Sequence, residues 1–91
     1  MAWTISFDPG AEKDFLRLDK SIQRKIARYL RDRAAVADDP EALGKPLTGN
    51  LSGLRRYRVE DYRVVCRVQK ETIVILVLAI GHRRDIYERL S

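Results

Sequence analysis

The segment Ile73–Ile80 constrains the fold of this sequence most, because all eight of its residues are apolar. A half-buried strand or helix would show polar side chains at a period of about 2 or 3.6 residues, and this segment shows neither period. It is also far too short to span a lipid bilayer as a helix. The segment therefore predicts a central β-strand that is covered on both faces.

Two strands that precede this segment are predicted to form a β-hairpin. Leu54–Val59 and Tyr62–Val68 are separated by only two residues, both acidic, which is the length of a tight turn. A turn of this length places Arg58 directly opposite Arg63 on the neighbouring strand.

Alternation of side chains divides the hairpin into two faces. We assign one face to the core, and it carries Tyr57, Val59, Tyr62, Val64, Cys66 and Val68. The other face carries Arg56, Arg58, Arg63 and Arg67. Like charges opposite each other destabilise a sheet, so this arginine face suggests a function. We expect the face to be exposed, which means that Arg63→Ala should leave the fold intact.

The N-terminal half is predicted to supply one strand and two helices. Trp3–Phe7 alternates apolar and polar side chains, as a half-buried strand does. Asp8 and Pro9 then provide a helix N-cap and a favourable first helical residue. A second amphipathic helix ends near Ala37, and its core face carries Ile22, Ile26, Tyr29 and Leu30.

Together these elements predict an α+β fold in a single domain, residues 1–91. The expected order is β-α-α-β-β-β-α, with a mostly antiparallel sheet of four strands and a two-helix hairpin on one face. Residues 38–53 are rich in Gly, Pro, Asp and Asn and are predicted to be a loop with one helical turn near Glu41–Leu43. A short helix within Asp85–Leu90 is expected to follow the last strand.

Positive charge is concentrated in the second half of the chain. Residues 1–44 carry 8 basic and 8 acidic side chains, whereas residues 45–91 carry 10 basic and 5 acidic ones, which accounts for the whole net charge of +5. This distribution favours a polyanionic or acidic partner. The single cysteine, Cys66, excludes an internal disulfide and is typical of a reducing compartment. With no secretory signal in the first residues, we expect a cytoplasmic protein without metal, cofactor or membrane partner.

The arginine face is a candidate phosphate-binding site, although a solvated basic face would give the same pattern. All five basic residues of Leu54–Val68 are arginine, which suits bidentate phosphate contacts better than lysine does. Arg83 and Arg84 follow the central strand, so at least one of them can reach the same rim. His82 is a catalytic candidate, but a lone histidine is more often structural or solvated. Tyr87 can stack on a base or anchor the terminal segment.

Two segments, KPLTGNLSGLRRYRVEDYRVVCRV and ILVLAIGHRRDIY, resemble the RelE toxins of bacterial toxin–antitoxin pairs. The resemblance implies a ribosome-dependent endoribonuclease that cleaves mRNA in the ribosomal A site by attack of the ribose 2′-OH on the adjacent phosphorus. It also implies a RelB-like antitoxin, partly disordered until it binds, in a toxin–antitoxin hetero-oligomer. Related toxins of the ParE type share the fold and poison DNA gyrase, so the fold alone does not decide the activity. A bare RNA-binding module is a third alternative.

The resemblance also implies roles for residues at matching positions. Arg63 and Arg83 would bind the phosphate and the transition state, and Tyr87 would orient or stack on the A-site nucleotide. Arginines stand at 56 and 58, where the best-known toxin of this type has lysines, and arginine does not lose its proton. The general base is therefore open: the neighbouring histidine or the tyrosine could serve, or cleavage could proceed by orientation and electrostatic stabilisation alone. Further phosphate contacts would come from Arg56, Arg58, Arg67 and Arg84.

Overall fold

The structure, a computed structural model, describes residues 2–90 and contains one five-stranded sheet in that range. The elements along the chain are β1 (Thr4–Phe7), α1 (Pro9–Leu16), α2 (Lys20–Tyr29), α3 (Pro40–Leu43), β2 (Lys45–Pro46), β3 (Arg55–Val59), β4 (Tyr62–Gln69), β5 (Val74–His82) and α4 (Ile86–Leu90). A π-helical turn, Leu30–Ala34, continues α2, and a 3₁₀ turn, Gly49–Leu51, follows β2.

The strand order in the sheet is β1-β5-β4-β3-β2. β1 runs parallel to β5, and every other neighbouring pair is antiparallel. This arrangement confirms the α+β fold, the mostly antiparallel sheet and the interior position of the strand that contains the apolar segment.

The fifth strand corrects the prediction of a four-stranded sheet. It lies in the segment 38–53, for which the sequence predicts a loop, and its two residues are too few to show alternation. Lys45 pairs with Arg56 of β3. The close approach depends on Gly44, because a Cβ at this position would lie 3.0 Å from the carbonyl oxygen of Arg56 and 3.0 Å from the ring of the tyrosine that follows it.

The hairpin of β3 and β4 has the predicted register. Val59 pairs with Tyr62, and Arg58 pairs with Arg63. Glu60 takes a positive φ of 54° in the turn, which allows the chain to reverse within two residues. The division of the hairpin into an apolar face and an arginine face therefore follows the sequence prediction.

The first helix begins as predicted, and the second one ends earlier than predicted. Asp8 caps α1 through its carboxylate, which accepts a hydrogen bond from the backbone N–H of Gly10 at 2.9 Å. The helical segment that begins with α2 ends at Ala34 after the π-helical turn, rather than near Ala37. Within residues 2–90, no helix has the length and apolar character needed to cross a membrane.

Two apolar cores lie on opposite faces of the sheet. The main core lies between the sheet and the helices α1 and α2, and its fully buried side chains include Ile26, Tyr57, Val64, Ile75 and Val77. The smaller core lies under α4 and consists of Leu54, Val65, Ala79 and Ile86. β5 contributes to both cores, which is why its sequence lacks the alternation of a half-buried strand.

Tyr57 links the hairpin to the segment that precedes β2. Its side chain is 1% exposed, and its hydroxyl donates a 2.8 Å hydrogen bond to the carbonyl oxygen of Pro40. Burial also raises the pKa of Tyr57 above its ordinary value, so the hydroxyl keeps the proton that it donates.

We expect Tyr57→Phe to lower the free energy of unfolding by about 1 kcal/mol, because the Pro40 carbonyl loses its buried donor. Urea denaturation of the two proteins measures this difference. Tyr62→Phe is the matched control, since the Tyr62 ring is half-buried and packs edge-on against His82. An equal loss in both variants would contradict a specific role for the Tyr57 hydrogen bond.

Candidate functional site

Arg63 lies at the centre of the candidate site. Its side chain is 9% exposed, and Nη1 donates hydrogen bonds to the carbonyl oxygens of Glu60 at 3.1 Å and Tyr62 at 3.0 Å. These bonds hold the guanidinium at the hairpin turn. The expectation that Arg63 is exposed was therefore wrong, because its side chain folds back onto the backbone of its own hairpin instead of extending into solvent.

The arginines of the site act on one another electrostatically. Burial lowers the pKa of the Arg63 guanidinium below its ordinary value, and the charges of Arg58, Arg56 and Arg83 lower it further, whereas Tyr87 opposes the shift. Three neighbouring arginine charges therefore act on Arg63 in addition to its burial. An anion bound among these groups would relieve the crowding.

Two clefts flank Arg56. The first, which we call the hairpin cleft, has a volume of about 190 Å³ and is lined by Tyr29, Leu43, Lys45, Arg56, Arg58 and Arg63. The second, the tyrosine cleft, has a volume of about 340 Å³ and is lined by Lys45, Pro46, Leu47, Thr48, Leu51, Arg56 and Tyr87. The side chains shared by the two clefts are Lys45 and Arg56.

Tyr87 and Arg83 reach the site from the end of the chain. Nη1 of Arg56 donates a 2.7 Å hydrogen bond to the hydroxyl oxygen of Tyr87, which fixes the α4 ring beside β3. The backbone N–H of Arg83 donates a 2.7 Å hydrogen bond to the carbonyl oxygen of Asp61. Nε of Arg83 lies 3.8 Å from the carboxylate of Asp61. The structure thus brings together five of the predicted residues: Arg56, Arg58, Arg63, Arg83 and Tyr87.

Three predicted residues lie outside this group. His82 pairs with Tyr62 across the strands, so it lies on the face opposite Arg63, where its Nδ1 accepts a 3.2 Å hydrogen bond from the backbone N–H of Arg84. Neither His82 nor Arg84 lines either cleft. Arg67 is four residues from Arg63 along β4, a distance of about 13 Å at the rise of a strand.

No metal site accompanies these groups in the part of the chain that the structure describes. Clusters of three or more His, Cys, Asp or Glu side chains that could hold a metal ion are absent between residues 2 and 90. The side chains of the two clefts that can act chemically are guanidinium groups, the amine of Lys45 and the phenols of Tyr29 and Tyr87.

The sequence matches the family model described as "ParE toxin of type II toxin-antitoxin system, parDE" over residues 5–87. It is 29% identical to the toxin RelG of Mycobacterium tuberculosis over 98% of this chain and 100% of that protein. It is 30% identical to a putative RelE-like toxin protein of Escherichia coli, covering 100% of this chain and 96% of that protein. The chain is a RelE-type toxin of the RelE/ParE superfamily.

Solved structures agree with this assignment. The toxin superposes on a chain of the toxin–antitoxin complex RelBE2 of M. tuberculosis with a TM-score of 0.82 and 26% identity, covering 93% of the toxin and 95% of that chain. A chain of the E. coli RelBE toxin–antitoxin complex gives a TM-score of 0.72 at 20% identity, with coverage of 89% and 96%, and shows the shared fold.

Lys45 is the basic residue of the toxin's clefts that the sequence interpretation missed. It belongs to β2, whose two residues carry no periodic signal, so the sequence alone does not place it beside Arg56. The available hint was its position at the start of the segment KPLTGNLSG, which belongs to the RelE resemblance.

A second missed feature is an ion pair that holds α4 against α1. The Asp14 carboxylate accepts hydrogen bonds from Nε of Arg89 at 3.0 Å and from the backbone N–H of Ile80 at 3.0 Å, and Nη2 of Arg89 lies 2.9 Å from the same group. The Asp14 side chain is only 9% exposed. A helix as short as α4 is not stable alone, so this pair contributes to the placement of Tyr87.

We expect Arg58→Gln to stabilise the toxin by about 0.5 kcal/mol, because it removes the charge directly opposite Arg63. The corresponding rise in melting temperature is about 2–4 °C for a domain of this size. The gain should disappear in about 1 M salt, where the Debye length is about 3 Å. Arg67→Gln, which removes an exposed arginine paired with Leu76, is the control. Equal shifts in the two variants would show that net charge, and not the opposed pair, sets the difference.

We expect Arg89→Ala to accelerate amide hydrogen exchange in α4 by about tenfold. The lost ion pair is partly buried, and a contribution of about 1.4 kcal/mol to the free energy of local opening corresponds to that factor. Arg84→Ala removes an exposed arginine outside both clefts and should leave exchange in α4 unchanged. Unchanged exchange in Arg89→Ala would mean that the apolar contacts of Ile86 suffice to hold the helix.

Proposed function

We propose that this toxin is a ribosome-dependent endoribonuclease that cleaves mRNA in the ribosomal A site. The main support is that Arg56, Arg58, Arg63 and Tyr87 line two adjoining clefts, and that the charge of Arg83 also acts on Arg63. Crowded cations beside an aromatic ring are suited to an RNA phosphate and its base. The ribosome, which acts in the cytoplasm, would present the mRNA.

The proposed reaction is attack of a ribose 2′-OH on the adjacent phosphorus, giving a 2′,3′-cyclic phosphate and a free 5′-OH. Negative charge increases on the phosphoryl oxygens in the transition state, and fixed cations stabilise it most. Arg63 is already held by two carbonyl groups, so its guanidinium needs little reorganisation to bind that charge. Arg83 supplies a second cation from the end of β5.

Tyr87 is proposed to orient the A-site nucleotide. Its ring is 37% exposed, and its hydroxyl is held by Arg56, so the ring has a defined position and a free surface. Stacking of a base on an aromatic side chain contributes about 1–3 kcal/mol. That contribution would fix the scissile phosphate relative to the arginines.

A RelB-like antitoxin is the proposed partner. Two of the structures that share the fold are toxin–antitoxin complexes, RelBE2 of M. tuberculosis and RelBE of E. coli. An antitoxin segment that folds on binding could neutralise the arginine face or displace α4 with Tyr87. The resulting species would be a toxin–antitoxin hetero-oligomer.

Inhibition of DNA gyrase without RNA cleavage is the second candidate function, because the matching family model is named for the ParE toxins. On this alternative the arginines would bind a protein or DNA surface and no bond would be broken. The arginine–tyrosine set favours the nuclease, since an aromatic ring beside a phosphate site has no evident use in a purely electrostatic contact.

Primer extension on mRNA in a purified translation system tests the proposal. We expect cleavage only when ribosomes are present, and a loss of about 100-fold in the cleavage rate in Arg83→Ala. Arg84→Ala is the matched control, because it removes the adjacent exposed arginine, which is not among the charges that shift the pKa of Arg63, and should cleave like the unmodified toxin. Intact mRNA together with inhibited gyrase supercoiling would overturn the nuclease in favour of the alternative.

A further inference from the structure

A carboxylate outside the two clefts joins three elements of the toxin. Asp14 lies in α1, and its side chain is only 9% exposed. The carboxylate accepts a 3.0 Å hydrogen bond from the backbone N–H of Ile80 in β5, and it lies 2.9 Å from Nη2 of Arg89 in α4. A carboxylate that is largely removed from water is costly unless charge and hydrogen bonds compensate it, so these two contacts fix its position.

The bond to Ile80 forms beyond the end of β1. β1 pairs with β5 as far as Val77, whereas β5 continues to His82. The Asp14 carboxylate therefore accepts the N–H of Ile80 where β1 no longer provides a partner strand. This bond attaches α1 to the last part of β5, the part that leads to Arg83.

α1 also provides space for the Arg89 guanidinium. Gly10 lies four residues before Asp14, so the two residues share one face of the helix. A Cβ at position 10 would lie 3.0 Å from Nη2 of Arg89, and glycine leaves that space open. We call Gly10 and Asp14 together the Arg89 contact.

α4 makes its two polar contacts on opposite sides. Tyr87 and Arg89 lie about 160° apart around a helix of 3.6 residues per turn. On one side the Tyr87 hydroxyl accepts the hydrogen bond from Arg56 of β3, and on the other side Arg89 reaches α1. Ile86 of the same helix is buried against the sheet. α4 thus connects β3 with α1, and the position of Tyr87 depends on the Arg89 contact.

We propose that Asp14 is a positioning residue for the cleavage reaction, an assignment that rests on the ribonuclease function proposed above. Its carboxylate fixes β5 at Ile80, three residues before Arg83. The same carboxylate fixes α4 through Arg89, two residues after Tyr87. It therefore aligns the cation that would hold the phosphate with the ring that would hold the nucleotide. A misplacement of about 1 Å between such groups can lower a rate by about 100-fold.

The experiment is a double-mutant cycle of Asp14→Asn and Tyr87→Ala, measured by single-turnover cleavage of ribosome-bound mRNA. The amide oxygen of asparagine can still accept the N–H of Ile80, so Asp14→Asn mainly removes the charge that holds Arg89. We expect this variant to lower the rate by about tenfold and to leave ribosome binding unchanged. In the Tyr87→Ala background the same substitution should have no further effect, because the ring that it positions is absent.

Three single variants complete the experiment. Glu12→Gln removes an exposed carboxylate from the same helix and should cleave like the unmodified toxin. Arg89→Lys keeps a cation opposite Asp14 and should retain most of the rate, whereas Arg89→Ala should lose as much as Asp14→Asn. Arg89→Ala also leaves the bond between Asp14 and Ile80 intact, so it replaces Asp14→Asn in the cycle where that variant lowers the melting temperature.

The outcomes separate the positioning role from a general structural role. A loss of equal size in the presence and absence of the Tyr87 ring would show that Asp14 supports the whole fold, and would overturn the positioning role. Equal rates in Asp14→Asn and the unmodified toxin would also overturn it.

The ribonuclease function fails in a different way. Absence of cleavage by the unmodified toxin would overturn that function and the effect of Asp14 on its rate. Amide hydrogen exchange in α4 then tests the Arg89 contact alone. Faster exchange in Asp14→Asn would show that the contact holds α4, and unchanged exchange would overturn the contact as well.

Discussion

The pairing of β3 with β4 through a two-residue turn is the constraint on which the site depends. It sets Arg58 opposite Arg63, and a slip of one residue would turn both arginines toward the helices. The apolar face prevents that slip, since Tyr57 is buried and bonded to the Pro40 carbonyl. Burial on one side of the hairpin therefore holds in place a concentration of charge on the other side that the sheet alone would not favour.

The two acidic residues of the turn face cations other than Arg56, Arg58 and Arg63. Glu60 pairs with Lys25 of α2, and Asp61 faces Arg83 at the solvent edge. Arg63 is satisfied by carbonyl groups, which stabilise its guanidinium without cancelling its charge. Hydrogen bonds and the small core under α4 thus hold the arginines in place, and their positive charge stays accessible to a phosphate.

The parts of the fold that follow from periodicity were predictable from the sequence. The strand with the apolar segment, the hairpin register and the Asp8 cap each depend on local residue patterns, and the arginine face follows from that register. The other parts depend on contacts distant in sequence. β2 is too short for a pattern, the burial of Arg63 arises from how its side chain folds back, and the Asp14–Arg89 pair joins residues 75 positions apart. The positions of Lys45 beside Arg56 and of His82 on the face opposite Arg63 likewise follow from strand pairing.

Arginine at positions 56 and 58 has a consequence for how the site divides its work. A lysine on the hairpin can bind phosphate and exchange a proton with the same amine, whereas an arginine stays charged at any physiological pH. The hairpin of this toxin therefore provides permanent cations, and the other polar side chains of the clefts come from other elements. β2 brings Lys45 beside Arg56, and α4 brings the phenol of Tyr87 to the same arginine. The two clefts thus require β2, β3 and α4 to meet at Arg56. A partner that displaced either β2 or α4 would therefore disrupt the clefts without contacting the arginines.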